Sequence, residues 1–406
     1  MSSNRPQDKL NRYRDLIVGK TTPAAKERAP KRYLKLAEFL GGAVETNHAG
    51  NYCLVKETYP RNHQHGNMTD NFYAPDLSWP RAAFTSAEEA GRVDLSSLLF
   101  IDTETTGLGG SGAVAFLVGC GSVVEEGFEV RQYLIPDYSD EAALLEGLLA
   151  EFGAEKTLVS YNGAAFDLPL LRSRMIINRV ARHIDHDFHI DLLHPSRRLF
   201  RRRLGDCTLT NLERELFQFH RADDIPGYLI PSVYFDWLSG QTMEPLGMVL
   251  EHNRLDILSL YYLVNLVAEA FQSEGETLTE VDDLHSLSRL YGRRRQTDKV
   301  QDCYRRIDNL ADRCLPEDIV LFHSLNFKRV GDLSQAVVLW QQLSESRSRE
   351  GFLANLELAK YFEHRARDFQ QALECTRRAE QLYAPSAGTR IALHRRLSRL
   401  QRRLTD

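Results

Sequence analysis

Short apolar segments that end in polar residues mark the predicted strands of this chain. The clearest is Leu98-Leu-Phe-Ile-Asp-Thr-Glu104, in which four apolar residues precede the polar ones. A strand that is covered on both faces needs no alternation of polar and apolar side chains, so this run predicts a buried strand that delivers its last side chains to a sheet edge. Strands are predicted at 98–104, 113–124, 128–135, 157–161 and 189–193, and helices with 3.6-residue periodicity at 140–152 and 166–179.

The order of these elements predicts the fold class. Three strands form a meander, with Glu125-Glu126-Gly127 as a hairpin connection, and alternating helices and strands follow. This is the pattern of an α/β domain with a mixed sheet flanked by helices, at residues 98–271. A basic leader (1–35) that ends in a helix through 34–40 comes first. An N-terminal extension (36–97), with a strand-like stretch at 51–55, is expected to pack on the α/β domain.

The last third of the chain is predicted to be an all-α helical-repeat domain. An acidic linker (272–283) leads into residues 284–406, where Val300, Ala336 and Ala372 recur at intervals of 36 residues. A small residue that recurs among larger apolar ones lets neighbouring helices approach closely, as stacked helical hairpins require. We predict three degenerate units that resemble tetratricopeptide repeats and could bind a protein partner. An irregular helical bundle is the alternative.

Composition and charge limit the class of protein further. A hydrophobic content of 43% and a charged content of 26% exclude wholesale disorder. The longest weakly polar run, Gly112–Val124, is shorter than the roughly 18 residues of a membrane span, and the N-terminus has no apolar signal core. We therefore expect a cytoplasmic protein without a membrane partner. The net charge of −5 combines basic ends, at 1–33 and 386–406, with an acidic body, and polyanion contact is expected at the ends.

The candidate chemistry lies in carboxylates that follow predicted strands or lie on predicted helices. Asp102 and Glu104 are two residues apart on one strand, so they project from the same face. Asp167 begins a helix just past another strand, and Asp256 lies on a later helix, four residues after His252. Four carboxylates suit two hard divalent cations, Mg²⁺ or Mn²⁺, which can together hold a scissile phosphate. A neutral histidine beside them can accept the proton of the attacking water.

Three motifs in the right order resemble those of the DEDD exonuclease superfamily, which has a ribonuclease H-like fold. They are Phe100–Leu108, Asn162–Leu171 and His252–Asp256. The resemblance covers roughly residues 35–270. It is nearest to the YprB-like branch, whose members carry an N-terminal extension and sometimes tetratricopeptide-type repeats.

The resemblance implies roles for individual residues. The metal ligands would be Asp102, Glu104, Asp167 and Asp256, with Asp102 bridging both cations, and His252 would be the general base. Thr105 and Leu108 would touch the terminal nucleotide, and Asn162 in the second motif is a further candidate for substrate contact. One feature departs from the family pattern. Histidine usually lies five residues before the last aspartate, whereas here the spacing is four, which tyrosine takes in another branch.

A cluster of arginines is the best candidate for holding substrate beside these acids, because guanidinium groups suit phosphate oxygens. The alternative is a solvated helix face. The arginine cluster consists of Arg197, Arg198, Arg201, Arg202 and Arg203.

Two other patterns have weaker chemical interpretations. The glycines from Gly107 to Gly112 match a dinucleotide-binding fingerprint, but that fold needs a helix directly afterwards and a strand is predicted instead. The histidines and aspartates from His183 to His194 could form a zinc site, although a solvated loop is the simpler interpretation. Asp191, in the last predicted strand, is expected near the catalytic acids.

The sequence predicts a metal-dependent nuclease. The leading assignment is a 3′→5′ exonuclease that acts on DNA or RNA. Two alternatives stay open at this point, a non-catalytic nucleic-acid-binding module and a scaffold whose function depends on the repeats.

Overall fold

The computed structural model describes residues 30–69, 78–85, 91–107, 112–310, 315–382 and 386–405. The chain divides into two compact units, residues 1–272 and residues 273–406. Within the described ranges, none of the helices is both long enough and apolar enough to cross a bilayer.

The described part of the first unit contains a mixed, seven-stranded sheet. Its strands are β1 (Ala43–Asn47), β2 (Gly50–Pro60), β7 (Leu98–Thr105), β8 (Ala115–Val124), β9 (Gly127–Leu134), β10 (Thr157–Ser160) and β11 (Phe188–Asp191). Their order is β1-β2-β9-β8-β7-β10-β11, with β7, β10 and β11 parallel and the other neighbours antiparallel. The predicted mixed sheet flanked by helices is therefore confirmed.

The N-terminal extension is paired into this sheet. Strand β2 lies against β9 along most of its length, and β1 forms the sheet edge. Two short hairpins complete the extension, formed by β3 (Gln64–His65) with β4 (Met68–Thr69) and by β5 (Ser78–Pro80) with β6 (Arg92–Asp94). The extension therefore contributes strands to the sheet as well as packing on it.

The helices of the first unit lie around the sheet, and the longest of them packs on β7, β8 and β9. Glycines on β8 allow this helix to come close. A Cβ on Gly121 would lie 2.5 Å from Cγ2 of Ile257, and a Cβ on Gly119 would overlap the side chain of Asn253. The helices are α1 (Lys31–Phe39), α2 (Glu141–Leu148), α3 (Asp167–Ile177), α4 (Leu193–Leu204), α5 (Leu209–Leu216), α6 (Ile230–Leu238) and α7 (Glu244–Gln272).

The described part of the second unit is helical and consists mainly of antiparallel hairpins. The 36-residue period seen in the sequence recurs in the backbone, because Arg295, Gly331 and Arg367, between the two helices of successive hairpins, all have positive φ. Val300, Ala336 and Ala372 are buried at matching places on the second helices. The helices are α8 (Val281–Arg293), α9 (Thr297–Leu310), α10 (Glu317–Val330), α11 (Leu333–Leu343), α12 (Arg349–Tyr361), α13 (Phe369–Leu382) and α14 (Ala387–Thr405).

The predicted acidic linker overlaps the start of α8. Asp282 and Asp283 lie in the first turn of that helix. Acids in this position are stabilised by the helix dipole. Part of the acidic segment is therefore a helix N-terminus.

Candidate metal centre and catalytic site

The candidate site lies at the edge of the sheet where the parallel strands β7 and β10 end. Asp102 and Glu104 lie on the same face of β7, opposite Gly119 and Leu117 of β8. The chain leaves β10 and enters α3, whose first residue is Asp167, so this carboxylate comes to the same edge. The hydroxyl of Thr103 donates a hydrogen bond to Oδ1 of Asp167. Adjacent parallel strands thus bring together acids that are 65 residues apart along the chain.

Helix α7 delivers the remaining candidate residues. The side-chain amide of Asn253 donates to Oδ2 of Asp102 at 2.9 Å and accepts from Gln132 Nε2 at 2.9 Å. One turn of helix places His252 and Asp256 on the same face, with Nε2 and Oδ2 3.6 Å apart. Among the described residues, one group of side chains is close enough together to hold a metal ion. It consists of Glu104, His252 and Asp256, with ligand atoms within 4.8 Å of one another.

Burial, together with neighbouring carboxylates, raises the pKa of the acids at the site. Burial and the charges of Asp256, Glu104 and Asp167 hold the pKa of Asp102 well above its usual range. Burial and Asp256 raise the pKa of Glu104 to about 8, and burial raises the pKa of Asp167 to about 6. Each shift reports a carboxylate whose charge is insufficiently compensated by the protein. A bound divalent cation would provide that compensation.

His252 is oriented by a carboxylate outside the predicted set. Its Nδ1 lies 2.7 Å from Oδ1 of Asp224, and Nε2 faces Asp256. Burial alone would lower the pKa of His252, but the charge of Asp256, the hydrogen bond to Asp224 and the charge of Glu104 outweigh it, so the pKa is raised.

A buried arginine, Arg221, lies behind Asp256. Its Nη2 contacts Oδ1 of Asp256, and Glu213 accepts from Nε and Nη2 at 2.8 and 2.6 Å. Its Nη1 lies 3.4 Å from both Asp224 Oδ2 and His252 Nδ1. The side chains of Arg221 and Glu213 are 4% and 1% exposed, so this pair is a buried part of the site and not a surface ion pair.

The loop between β10 and α3 is held by Asp191, the last residue of β11. Its carboxylate accepts from the backbone N–H groups of Asn162 and Ala164 at 2.7 and 3.2 Å. Asn162 has φ of 66°, a conformation that asparagine tolerates better than most residues. Asp191 also contributes to the raised pKa of Asp167. It thus lies close to the candidate metal ligand Asp167 and fixes the loop that precedes it.

The candidate substrate residues have different environments. The hydroxyl of Thr105 donates to the carbonyl of Gly107, and Leu108 lies outside the described residues. In the arginine cluster on α4, Arg198 donates to the carbonyl of Phe84, whereas Arg197 and Arg201 are exposed. Arg202 is also exposed and Arg203 is half-buried, both in the last turn of the helix.

The structure also bears on the two weaker patterns. The residues after Gly112 lead into strand β8, not a helix, as predicted. Two residues of the His183–His194 cluster have other contacts in the described structure. His189 bonds to Ser160 Oγ at 2.8 Å, and Asp187 pairs with Arg81.

The contacts of Asn253, Arg221, Glu213 and Asp224 were not predicted. Asn253 could have been suspected, because it is a polar residue on the buried face of an apolar helix, one position after His252. The other three are single charged residues in polar segments, and no local spacing connects them to the motifs.

Comparison with known proteins decides the family. Residues 99–268 match the RNase_H superfamily. The chain is also 33% identical to YprB of Bacillus subtilis (strain 168) over 367 residues, which is 87% of either chain. The chain belongs to the same family as YprB and contains an RNase_H superfamily domain. Its RNase_H domain spans β7 to most of α7, and therefore contains every candidate metal ligand.

Membership of the RNase_H superfamily indicates a nucleic-acid-processing hydrolase. Nucleases of this superfamily use divalent metal ions, and the donor set fits such ions. Carboxylate oxygens dominate it, and the pKa of Glu104 is raised to about 8 by burial and by the charge of Asp256.

Proposed function

We propose that the chain is a DEDD-type 3′→5′ exonuclease that hydrolyses phosphodiester bonds of DNA or RNA with two divalent cations, Mg²⁺ or Mn²⁺. The main support is that Asp102, Glu104 and Asp167 lie at one sheet edge, where burial raises the pKa of each. Bringing carboxylates together costs free energy unless a cation neutralises them. A site that only supported the fold would gain nothing from that cost.

The residues that would hold the cations are Asp102, Glu104, Asp167 and Asp256. The ligand atoms of Glu104 and Asp256 already lie within 4.8 Å of one another, with His252 beside them. Bound there, divalent cations would polarise the scissile phosphate and lower the pKa of the attacking water. Asn253 would keep Asp102 directed into the site by donating to its Oδ2.

His252 would accept the proton of the attacking water. Asp224 accepts from Nδ1–H, so the lone pair of the neutral ring is on Nε2, which faces the metal ligands. Two of the three carboxylates that raise the pKa of His252 are the proposed ligands Asp256 and Glu104. Their neutralisation would favour the neutral ring that a general base requires. The four-residue spacing serves this arrangement, because it places His252 and Asp256 on one face of α7.

Substrate contact is proposed at Thr105, Leu108, Asn162 and the arginine cluster. Within the cluster, Arg197 is the strongest candidate. It is exposed in the first half of α4, near the sheet edge where β11 ends, and its charge acts on Tyr161 beside Asn162. Arg201, Arg202 and Arg203 lie in the last turn of α4, where they also stabilise the helix dipole.

The helical unit is proposed to be a tetratricopeptide-like module that binds a protein partner. The support is the 36-residue period shared by the sequence and by the positive-φ residues Arg295, Gly331 and Arg367. Deletion of residues 273–406 should leave nucleotide release intact and remove capture of the partner.

The test is digestion of single- and double-stranded DNA and RNA by the full chain, labelled at either end, with Mg²⁺, Mn²⁺ or EDTA. Stepwise shortening of 5′-labelled strands that EDTA stops is the expected result. Asp102→Asn and Asp256→Asn should lower the rate by about a thousandfold or more, because several kcal/mol of transition-state stabilisation is lost. Asp94→Asn, at an exposed position of β6, is the matched control and should leave the rate unchanged.

Other outcomes would favour the alternatives. Binding without digestion of any substrate would favour a nucleic-acid-binding module. Internal cleavage would contradict the exonuclease assignment and leave the metal site in place. Full activity of the Asp102→Asn variant would refute the proposed mechanism.

A further inference from the structure

His65 lies in the β3–β4 hairpin of the N-terminal extension, far from the catalytic motifs along the chain, and it is buried. Its ring stacks on Tyr262 of α7 with centroids 5.1 Å apart and lies 4.0 Å from the ring of Phe219. Beside it, the backbone N–H of Asn67 donates to the carbonyl of Phe217 at 2.7 Å. The hairpin therefore contacts the segment that leads to Arg221.

The hydrogen-bonding direction at His65 follows from its neighbours. Ser259 Oγ donates its single proton to Oε1 of Glu213 at 2.5 Å, and Nε2 of His65 lies 2.9 Å from the same hydroxyl oxygen of Ser259. Ser259 can therefore only accept from His65, which requires the proton on Nε2. Burial, His63 and Arg221 lower the pKa of His65 to about 3, so the ring is neutral.

Glu213 connects this pair to the metal site. One of its oxygens accepts from both Ser259 and Nη2 of Arg221, and the other accepts from Nε of Arg221. A two-point contact of this kind fixes the plane of the guanidinium group. That plane directs Nη2 at Oδ1 of Asp256 and leaves Oδ2 of Asp256 towards His252. The continuous path is His65, Ser259, Glu213, Arg221 and Asp256.

We propose that His65 is a positioning residue for the metal site, acting through Ser259 and Glu213 on the Arg221 guanidinium that holds Asp256. The inference rests on the proposed metal site and extends it to the N-terminal extension. The extension then completes the support of a catalytic carboxylate in addition to lengthening the sheet. Residues that support metal ligands in this way commonly contribute about 10- to 100-fold in metal affinity or activity.

Two variants at His65 separate hydrogen bonding from packing. His65→Phe keeps an aromatic ring against Tyr262 and Phe219 but has no donor. His65→Gln keeps an N–H near the position of Nε2 but has no ring. If the hydrogen bond matters, the Phe variant loses function and the Gln variant retains it, whereas a packing role gives the reverse order.

The experiment measures Mn²⁺ affinity of the full chain by electron paramagnetic resonance of free Mn²⁺, together with melting temperature, kcat and KM. We expect His65→Phe to bind Mn²⁺ about tenfold more weakly and to lower kcat about tenfold with little change in KM. We expect His65→Gln to stay within about threefold of the unaltered chain. Ser259→Ala should behave like His65→Phe, and Ser196→Ala, at another buried serine, is the control.

Equal Mn²⁺ affinity in His65→Phe and the unaltered chain, or a Gln variant no better than the Phe variant, would overturn the inference. If His65→Phe does not fold, unchanged Mn²⁺ affinity in Ser259→Ala would still overturn the inference, because this variant removes the hydroxyl through which His65 acts and little volume, and His65→Gln then tests the hydrogen bond itself. If the chain binds Mn²⁺ but digests nothing, the proposed activity fails and the affinity comparison still tests the role of His65. If the chain binds no Mn²⁺, both the metal site and this inference fail.

Discussion

Gly119→Ala should destabilise the first unit and disturb the metal site together, because helix α7 approaches the sheet closely at Gly119. A Cβ on Gly119 would lie 3.0 Å from Cγ and Nδ2 of Asn253 and closer still to Oδ1. Ordinary van der Waals contacts of a Cβ begin near 3.4 Å. Asn253 is fully buried, and its amide is held by Asp102 and Gln132, so it cannot move aside without breaking those hydrogen bonds.

The magnitude follows from two contributions. Overpacking of a filled core costs about 1–3 kcal/mol, and a lost hydrogen bond costs about 1 kcal/mol, or more where one partner is charged. We therefore expect a loss of about 2–4 kcal/mol in the free energy of unfolding. For a unit of this size, that loss corresponds to a fall in melting temperature of roughly 5–15 °C. Nucleotide release should also fall, because Asp102 loses its donor.

The assay is thermal unfolding of the full chain followed by circular dichroism, together with the digestion assay. Gly227→Ala is the matched control, since no atom lies within 4 Å of a Cβ there and its φ is not positive. The double variant Gly119→Ala/Asn253→Ala tests the cause. Once the clashing side chain of Asn253 is shortened, the Gly119→Ala substitution should cost much less than it does in the unaltered chain. An unchanged melting temperature in Gly119→Ala, or fully additive effects, would refute the reasoning.

Three further predictions concern the chemistry of the site. His252→Ala should lower turnover by about 10²–10⁴-fold, and Asp224→Asn by about 10- to 100-fold, because the ring loses the carboxylate that fixes its tautomer; equal rates in Asp224→Asn and the unaltered chain would exclude this positioning. Mn²⁺ affinity should rise from pH 6 to about 8 and then level off. The pKa of Glu104 is raised to about 8, so below that pH the carboxyl group is protonated and Mn²⁺ must displace its proton. Mn²⁺ titrations across this range check the prediction, and a flat profile would contradict it. Arg197→Ala should raise KM and reduce the salt slope of binding by about 1 if this residue contacts phosphate, while kcat changes little; filter binding at several salt concentrations measures the slope, and an unchanged slope would assign Arg197 to the solvated face.

The strands near the site could be predicted because they are buried on both faces. The apolar runs of β7 and β10 are short and continuous, which is typical of a central strand. The end of each run shows where polar side chains leave the core. Strand β1 was missed for the converse reason. Its sequence, Ala43-Val-Glu-Thr-Asn47, is mostly exposed at the sheet edge, so burial selects no apolar pattern there. The length of β2 was underestimated in the same way.

The four motif acids and His252 were predicted as site residues from local sequence, since residue type and short spacing carry that information. Local sequence could not show which side chains hold them. Arg221, Glu213 and Asp224 lie between the second and third motifs without periodicity. Their ion pairs with α7 depend on how the segment after α5 folds back onto that helix.

The order of apolar runs and acids along the chain is sufficient to predict an α/β domain with candidate metal ligands and a helical region after it. Those properties depend on burial and on spacings of a few residues. This information is contained within single segments of the sequence. The orientation of His252 by Asp224, the hold of Arg221 on Asp256 and the path back to His65 depend on contacts between segments from 28 to 194 residues apart. Only the packing against α7 of the segment after α5 and of the extension brings those groups within hydrogen-bonding distance.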